Sequence, residues 1–268
     1  MPPKGRIVFG ITWQGREPAE MAGLTRLTEW LSERVGVRVV ARVALSYAEL
    51  RQMVGSGQAH IAWVPPIVYV QLEKDAAAVP LVRIERQGQS TFHAALIVRK
   101  DSPIDNLDAL FGASAAWVDR WSASGYVIPR AILASRKLPP DLVFREERFY
   151  GSHDAAIGAV LSGRAHVAGT YASLDDDGKV TAGVWNHIEG ADGCLRALMT
   201  FGSIPGDVIA ARTDLDPQLR AALIESFVAA CADPEIGPIA LGIFGAESFV
   251  AGPLDSESYD LLRAAIER

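Results

Sequence analysis

Two stretches of this chain repeat one another, and that repeat limits the folds open to it more than anything else in the sequence. In residues 46–63 a Ser-Tyr pair opens a helical pattern that ends at Ser56-Gly57 and runs into Ala59-His60-Ile61-Ala62. In residues 152–169 a Ser-His pair opens the same pattern, which ends at Ser162-Gly163 and runs into Ala165-His166-Val167-Ala168. Two copies are too few for a solenoid. Each copy reads as one unit: a Ser whose oxygen caps a helix, apolar residues at helical spacing (Leu50, Met53 and Val54; Ile157, Val160 and Leu161), a Gly suited to a left-handed C-cap, and a short apolar strand. In the first copy Glu49 follows Ser46 by three residues, which predicts a capping box.

Strand-like runs precede both copies, at Val37–Val43 and Phe144–Phe149. Each half is therefore a βαβ unit, and a right-handed crossover makes its strands parallel. Around this frame the pattern predicts a helix over Glu17–Val35 with Leu24, Leu27, Leu31 and Val35 on one face. It predicts strands at Phe92–Val98, Ala115–Val118 and Val208–Ala211, and helices at Pro217–Ala230 and Glu257–Ile266. Strands alternating with helices in two related halves give an α/β fold of two lobes, with a cleft between them at the carboxyl ends of the strands. Tyr47 and His153 then hold equivalent positions, each just after its N-cap Ser.

At 268 residues the chain suits one large domain or two small ones. Its net charge is −6 and its pI about 5.4, which excludes the basic stripe that nucleic acid or an anionic membrane surface requires. No apolar run reaches the ~18 residues of a membrane-spanning helix. Met1-Pro2-Pro3-Lys4-Gly5-Arg6 lacks the longer apolar stretch and small-residue cleavage site of a secretory signal, so either the chain is cytoplasmic or a signal was removed before this numbering begins. Cys194 and Cys231 fit no metal site; two buried thiols are expected over a disulfide. Asp175-Asp176-Asp177-Gly178 lacks the spacing and terminal Glu of a calcium loop and reads as a solvated turn. Glu146-Glu147 alternates within a strand and reads as exposed. His60 and His166, at matching strand starts, read as framework. No cofactor and no metal are expected.

The segment from Trp117 to Pro129 carries the chemistry. After the strand, Ser122, Ala123, Ser124 and Gly125 open a helix. Helix N-termini offer unpaired N–H groups and a positive dipole end, Ser122 and Ser124 add hydroxyls, and Gly125 gives a ligand close access to the backbone. An ordinary Ser-capped helix would look the same.

These motifs together resemble the phosphonate-binding family of type II periplasmic solute-binding proteins. Ser122-Ala123-Ser124-Gly125-Tyr126 with Pro129 is similar to that family's Ser-Thr-Ser-Gly loop. Gly151-Ser152-His153-Asp154 is similar to its Gly-Ser-His segment, and Ile204-Pro205-Gly206-Asp207-Val208-Ile209 to its return crossing. The resemblance implies lobe one from residues 1–91 with 206–268, lobe two from 92–205, and hinge crossings near 91–95 and 201–209. It implies that Ser122, Ser124 and the local backbone, including the N–H of Ala123, hold phosphoryl oxygens. His153 donates from the second lobe, Tyr47 closes from the first, and Asp207 can meet a ligand amino group. Trp13 and Trp63 end strands and either wall the cleft or pack. Arg120 pairs with the anion, or with Asp119 or Asp154.

The departures narrow the ligand. The middle hydroxyl is lost at Ala123, Arg120 and Trp121 stand where small residues or Pro are usual, and Phe92 replaces an aromatic with a hydroxyl. Thr170-Tyr171-Ala172-Ser173 offers no carboxylate. These changes argue against an aminoalkyl phosphonate and leave phosphate, phosphite, a simple alkylphosphonate or another small anion. The implied role is capture of that anion as a monomer, without turnover, for an ABC permease, with a periplasmic location. A cytoplasmic enzyme or a sensor subunit on the same fold is the alternative.

Overall fold

The computed structural model describes residues 5–12, 18–86, 88–89, 91–191, 193–252, 254 and 259–266. In chain order the elements are β1 (Ile7–Thr12), α1 (Pro18–Val35), β2 (Val39–Ala44), α2 (Tyr47–Gly55), β3 (Ile61–Val64), α3 (Pro66–Lys74), β4 (Ala78–Glu85), β5 (Thr91–Arg99), β6 (Ala113–Trp117), α4 (Ile128–Ser135), α5 (Pro140–Val143), β7 (Phe144–Phe149), α6 (His153–Leu161), β8 (Val167–Leu174), β9 (Val180–Gly183), β10 (Leu195–Pro205), β11 (Val208–Arg212), α7 (Pro217–Ala230), α8 (Gly237–Phe244), β12 (Ser248–Ala251) and α9 (Asp260–Ile266). They fall into two compact units, Met1–Ser90 with Pro205–Glu257, and Thr91–Ile204 with Ser258–Arg268. The closing segment therefore groups with the second unit, whereas the sequence reading placed all of 206–268 in the first. The physical reason is packing: α9 lies against α4, and Leu261 sits where a Cβ on Gly202 would meet its Cδ2 at 2.5 Å.

The first unit is built on a sheet ordered β12-β4-β11-β3-β1-β2. β1 pairs in parallel with β2 and β3, as two βα crossovers dictate, while β11 runs antiparallel to β3 and β4, and β12 antiparallel to β4. The second unit is ordered β10-β5-β8-β6-β7, with β9 on β8; β6 is parallel to β7 and β8, and β8 antiparallel to β5 and β9. Both sheets are mixed. Each keeps a parallel heart of three strands, β2-β1-β3 in the first and β8-β6-β7 in the second, with antiparallel strands added beside it.

β1 is buried along its whole length, as a central strand covered on both faces requires. One face meets Leu24, Leu27 and Leu31 of α1, all buried at their predicted helical spacing. Phe9 meets Phe227 edge-on at 5.9 Å between ring centroids, and Phe227 meets Phe249 at 5.8 Å. Leu27→Ala would cost about 2–5 kcal/mol through lost burial and the cavity left behind.

The repeat appears as the same local structure twice. Ser46 accepts from Glu49 N at 3.1 Å and Ser152 from Ala155 N at 3.1 Å. Glu49 does not close the predicted capping box: its carboxylate accepts from Leu45 N at 2.7 Å, one residue before the cap. Gly57 and Gly163 adopt φ of +78° and +72° just past their helices, the left-handed stop that a Cβ would disfavour. His60 Nδ1 then accepts from Val8 N, and His166 Nδ1 from Ser114 N, each at 3.1 Å. Both imidazoles extend a sheet ladder, so their pairing in sequence is a framework feature.

Two minor expectations are corrected. Cys194 is exposed; Cys231 is half-buried in the other unit, its Sγ accepting from Phe249 N at 3.2 Å, and both are free thiols. Glu147 is drawn inward because it accepts from Trp117 Nε1 at 2.6 Å and pairs with Arg130.

Candidate functional site

The parallel strands β6, β7 and β8 of the second unit end side by side, and the loops after them are stitched together. β7 continues past its end with Tyr150 N donating to Trp117 O and Gly151 N to Val118 O, at 2.8 and 2.9 Å. Ser122 is extended (φ −76°, ψ 116°) and its Oγ accepts from Gly125 N at 3.0 Å. Residues Ala123–Val127 form a turn of π-helix that leads into α4, with Val127 N donating to Ser122 O. Wide turns of this kind recur at functional sites. The turn lies against β8: a Cβ on Gly169 would meet Gly125 O and the Trp117 ring at 2.8 Å.

Ser122, Ala123, Ser124 and Gly125 are all buried. The reason for glycine at 125 differs from the expected one. A Cβ there would strike Val118 Cγ2 at 2.4 Å and Ser122 Oγ at 2.7 Å, so packing within the turn demands glycine. Ser124 Oγ has no hydrogen-bond partner among the described residues, and neither do the N–H groups of Ala123 and Ser124. They belong to the first turn of a helix, where backbone donors lack intrahelical acceptors.

His153 stands at the start of α6, the first residue after its cap. Its Nδ1 lies 3.0 Å from Thr170 Oγ1, and its ring meets Tyr171 edge-on at 5.0 Å. Burial lowers its pKa from 6.5 to about 4, although the residue keeps part of its surface in solvent. At neutral pH the ring is uncharged. Thr170 is completely buried and Tyr171 remains 38% exposed.

The other expected residues divide. Arg120 is exposed and stacks on Phe149 at 4.9 Å, and Trp121 N donates to Asp119 at 2.8 Å. Both belong to the same loop as Ser122. Tyr47 is half-buried at the start of α2 in the first unit, in the position that His153 takes in the second. Trp63 and Asp207, also in the first unit, are bonded to each other: Trp63 Nε1 donates to Asp207 Oδ2 at 3.1 Å, and Arg86 Nη2 to the same oxygen at 2.9 Å. Trp63 also packs edge-on against Phe244 at 4.9 Å. Trp13 lies outside the described residues.

The sequence weighs Thr170 and Tyr171 only for the carboxylate they lack, and gives Gly169, Phe149 and Arg86 no site role. Thr170 carried a usable signal, since it follows a predicted parallel strand at its carboxyl end, where ligands of open α/β sheets bind. Arg86 carried none, because it reaches Asp207 across 121 residues of sequence.

The profile of a family described as "ABC transporter, phosphonate, periplasmic substrate-binding protein" matches residues 9–257. The chain belongs to that family. Among solved structures, a protein of Xanthomonas citri bound to chloride is similar with a TM-score of 0.80 at 24% identity, covering 98% of this chain and 97% of that one. The same protein bound to ATP gives 0.80 at 23%, with the same coverage. A binding-protein component of an ABC phosphonate transporter from Pseudomonas aeruginosa gives 0.74 at 21%, covering 98% and 84%. PhnD1 of Prochlorococcus marinus in complex with methylphosphonate gives 0.76 at 18%, covering 98% and 97%. These likenesses establish the type II periplasmic-binding-protein fold. As a member of the phosphonate-binding family, the chain is a substrate-binding protein of ABC transport and takes a small oxyanion. The family is periplasmic, and among the described residues no helix is long and apolar enough to cross a membrane.

Proposed function

We propose that the donors at the carboxyl edge of β6, β7 and β8 hold the ligand's oxyanion head, and that the ligand is a phosphonate, phosphate or phosphite without an amino group. The carrying observation is the set of donors without acceptors: the Ala123 and Ser124 amides and the Ser124 hydroxyl. Ser124 Oγ is not sealed from solvent, and with the two amides it forms a donor cluster left open beside a helix N-terminus, which fits an incoming anion. His153 adds a neutral donor. The ligand classes in the complexes of related proteins, methylphosphonate and ATP, share the phosphoryl group that such a cradle would grip.

The restriction to amine-free ligands rests on Asp207, whose carboxylate is held by Arg86 and Trp63. The acid that the family resemblance assigns to a ligand amino group is thus already paired with a guanidinium. The protein works as a monomer by reversible capture for delivery to a permease, and no bond is made or broken. In support, His153 is partnered by a threonine rather than by an acid, so the donor set lacks the oriented base of a nucleophilic site.

The test is calorimetric titration and thermal shift with methylphosphonate, phosphate, phosphite, sulfate, 2-aminoethylphosphonate and ATP. A ligand at 100 times its dissociation constant stabilises by about 2.7 kcal/mol. A selective shift with an amine-free phosphorus oxyanion is the expected result. A preference for 2-aminoethylphosphonate, or no response to any of the six, would overturn the reading.

A further inference from the structure

The pair of half-buried His153 and buried Thr170 does more than fill space. Thr170 sits in β8 with no exposed surface, its backbone paired opposite Ala95. A hydroxyl buried this completely must place its proton on an acceptor or lose a hydrogen bond it had in water. Among the described residues, the partner of its side chain is His153 Nδ1, at 3.0 Å. The ring is neutral, so one nitrogen carries the proton and the other accepts. If Thr170 must donate, Nδ1 must be the acceptor, and the proton resides on Nε2. Nε2 in turn has no partner among the described residues, yet it is not sealed from solvent. The ring is held from the side by Tyr171, and the helix start that carries it is capped by Ser152 through Ala155 N.

We infer that Thr170 is a positioning residue that locks His153 as the Nε2–H tautomer, so that the site presents a fixed, uncharged donor to its oxyanion. The consequence for specificity is direct. A donor that carries no charge and has no lone pair to offer at Nε2 rewards ligand oxygens that only accept. It offers no acceptor for the proton of an oxygen that keeps one. The site is thereby biased toward fully ionised phosphonate or phosphate oxygens over their protonated forms. This inference rests on the reading of the site as an oxyanion cradle, but its first test does not.

That test is the nitrogen-15 spectrum of the His153 ring at neutral pH, assigned by its disappearance in His153→Gln. The wild-type protein should show a protonated Nε2 and an unprotonated Nδ1. Thr170→Val, which keeps the shape and removes the donor, should release the ring into a mixture of tautomers. It should also weaken methylphosphonate binding about tenfold, the scale of one lost hydrogen bond. Thr170→Ser should restore the single tautomer and bring affinity back to within about threefold. A protonated Nδ1 in the wild type, or an unchanged tautomer in Thr170→Val, would refute the role given to Thr170. If the wild-type protein does not bind methylphosphonate at all, the proposed ligand fails, and the ring spectrum alone still decides for or against Thr170.

Discussion

Gly125 and Val118 are packed so closely that a Cβ on residue 125 would lie 2.4 Å from Val118 Cγ2. The contact sits inside the turn that carries Ser122 and Ser124, and Val118 N also donates to Gly125 O at 3.3 Å. Gly125→Ala should therefore destabilise the protein by about 1–3 kcal/mol, the usual range for overpacking. Val118→Ala made in that background should recover part of the loss, because it removes Cγ2, while the 2.7 Å approaches to Val118 Cβ and Ser122 Oγ remain. Denaturant midpoints of the four proteins in a double-mutant cycle measure the coupling. Strictly additive effects would show that the clash does not govern this position.

The two serines of the turn should separate stability from binding. Ser122 caps the turn through Gly125 N, so Ser122→Ala should cost about 1 kcal/mol of stability. Ser124 Oγ has no partner among the described residues, so Ser124→Ala should leave stability within about 0.5 kcal/mol. Its effect should fall on the ligand, weakening methylphosphonate binding by roughly 1–3 kcal/mol as a charge-assisted partner is lost. Melting temperature and titration calorimetry on the two variants report the two effects independently. A Ser124→Ala protein that melts low and binds normally would reverse the assignment.

Short-range patterns were the legible part of this sequence. The Ser caps, the glycine stops at 57 and 163 and the twin histidines all follow from local rules, and the structure reproduces them. The serine turn was legible as a capped helix start, with Ser122 Oγ accepting from Gly125 N, but local pattern alone did not separate it from any other Ser-capped helix. Long-range side-chain partners were not legible. Arg86 ties Asp207 from the far end of the first segment, and Glu147 is pulled inward by Arg130 and Trp117; nothing in local periodicity encodes those meetings. The same limit hid the direction of β11 and β5, since strand direction is set by how the chain returns and not by the strand's own residues.

The Arg86–Asp207–Trp63 cluster makes its own prediction. Arg86 also donates to Gly245 O and Phe244 O at 3.0 and 2.8 Å, so the guanidinium is a tie between β4 and the end of α8. Asp207→Asn removes the charge that holds it and should lower stability by about 1–2 kcal/mol, since the pair is only partly buried. The ratio of affinities for methylphosphonate and 2-aminoethylphosphonate should not change. A selective loss of the aminated ligand would show that the carboxylate serves the ligand after all.

The depressed pKa of His153 predicts a specific acid response. Folded, the ring stays neutral down to about pH 4, whereas in the unfolded chain it gains a proton near 6.5. Between those values the unfolded state binds more protons, so stability rises with pH from about 4 to about 6.5 and is lost as the pH falls through that window. The difference between 6.5 and about 4 corresponds to roughly 3 kcal/mol at full burial; the residue's remaining solvent exposure brings the expected effect to ~1–2 kcal/mol. His60 and His93 are depressed in the same direction, chiefly by burial, so the wild-type profile alone does not isolate one ring. The difference between wild type and His153→Gln does. Urea unfolding from pH 4 to 8 should show the variant flatter than the wild type between about 4 and 6.5, and parallel to it above. Parallel profiles throughout would mean that the His153 ring takes up its proton as readily folded as unfolded, and that the neutral donor assigned to it is not built into the fold.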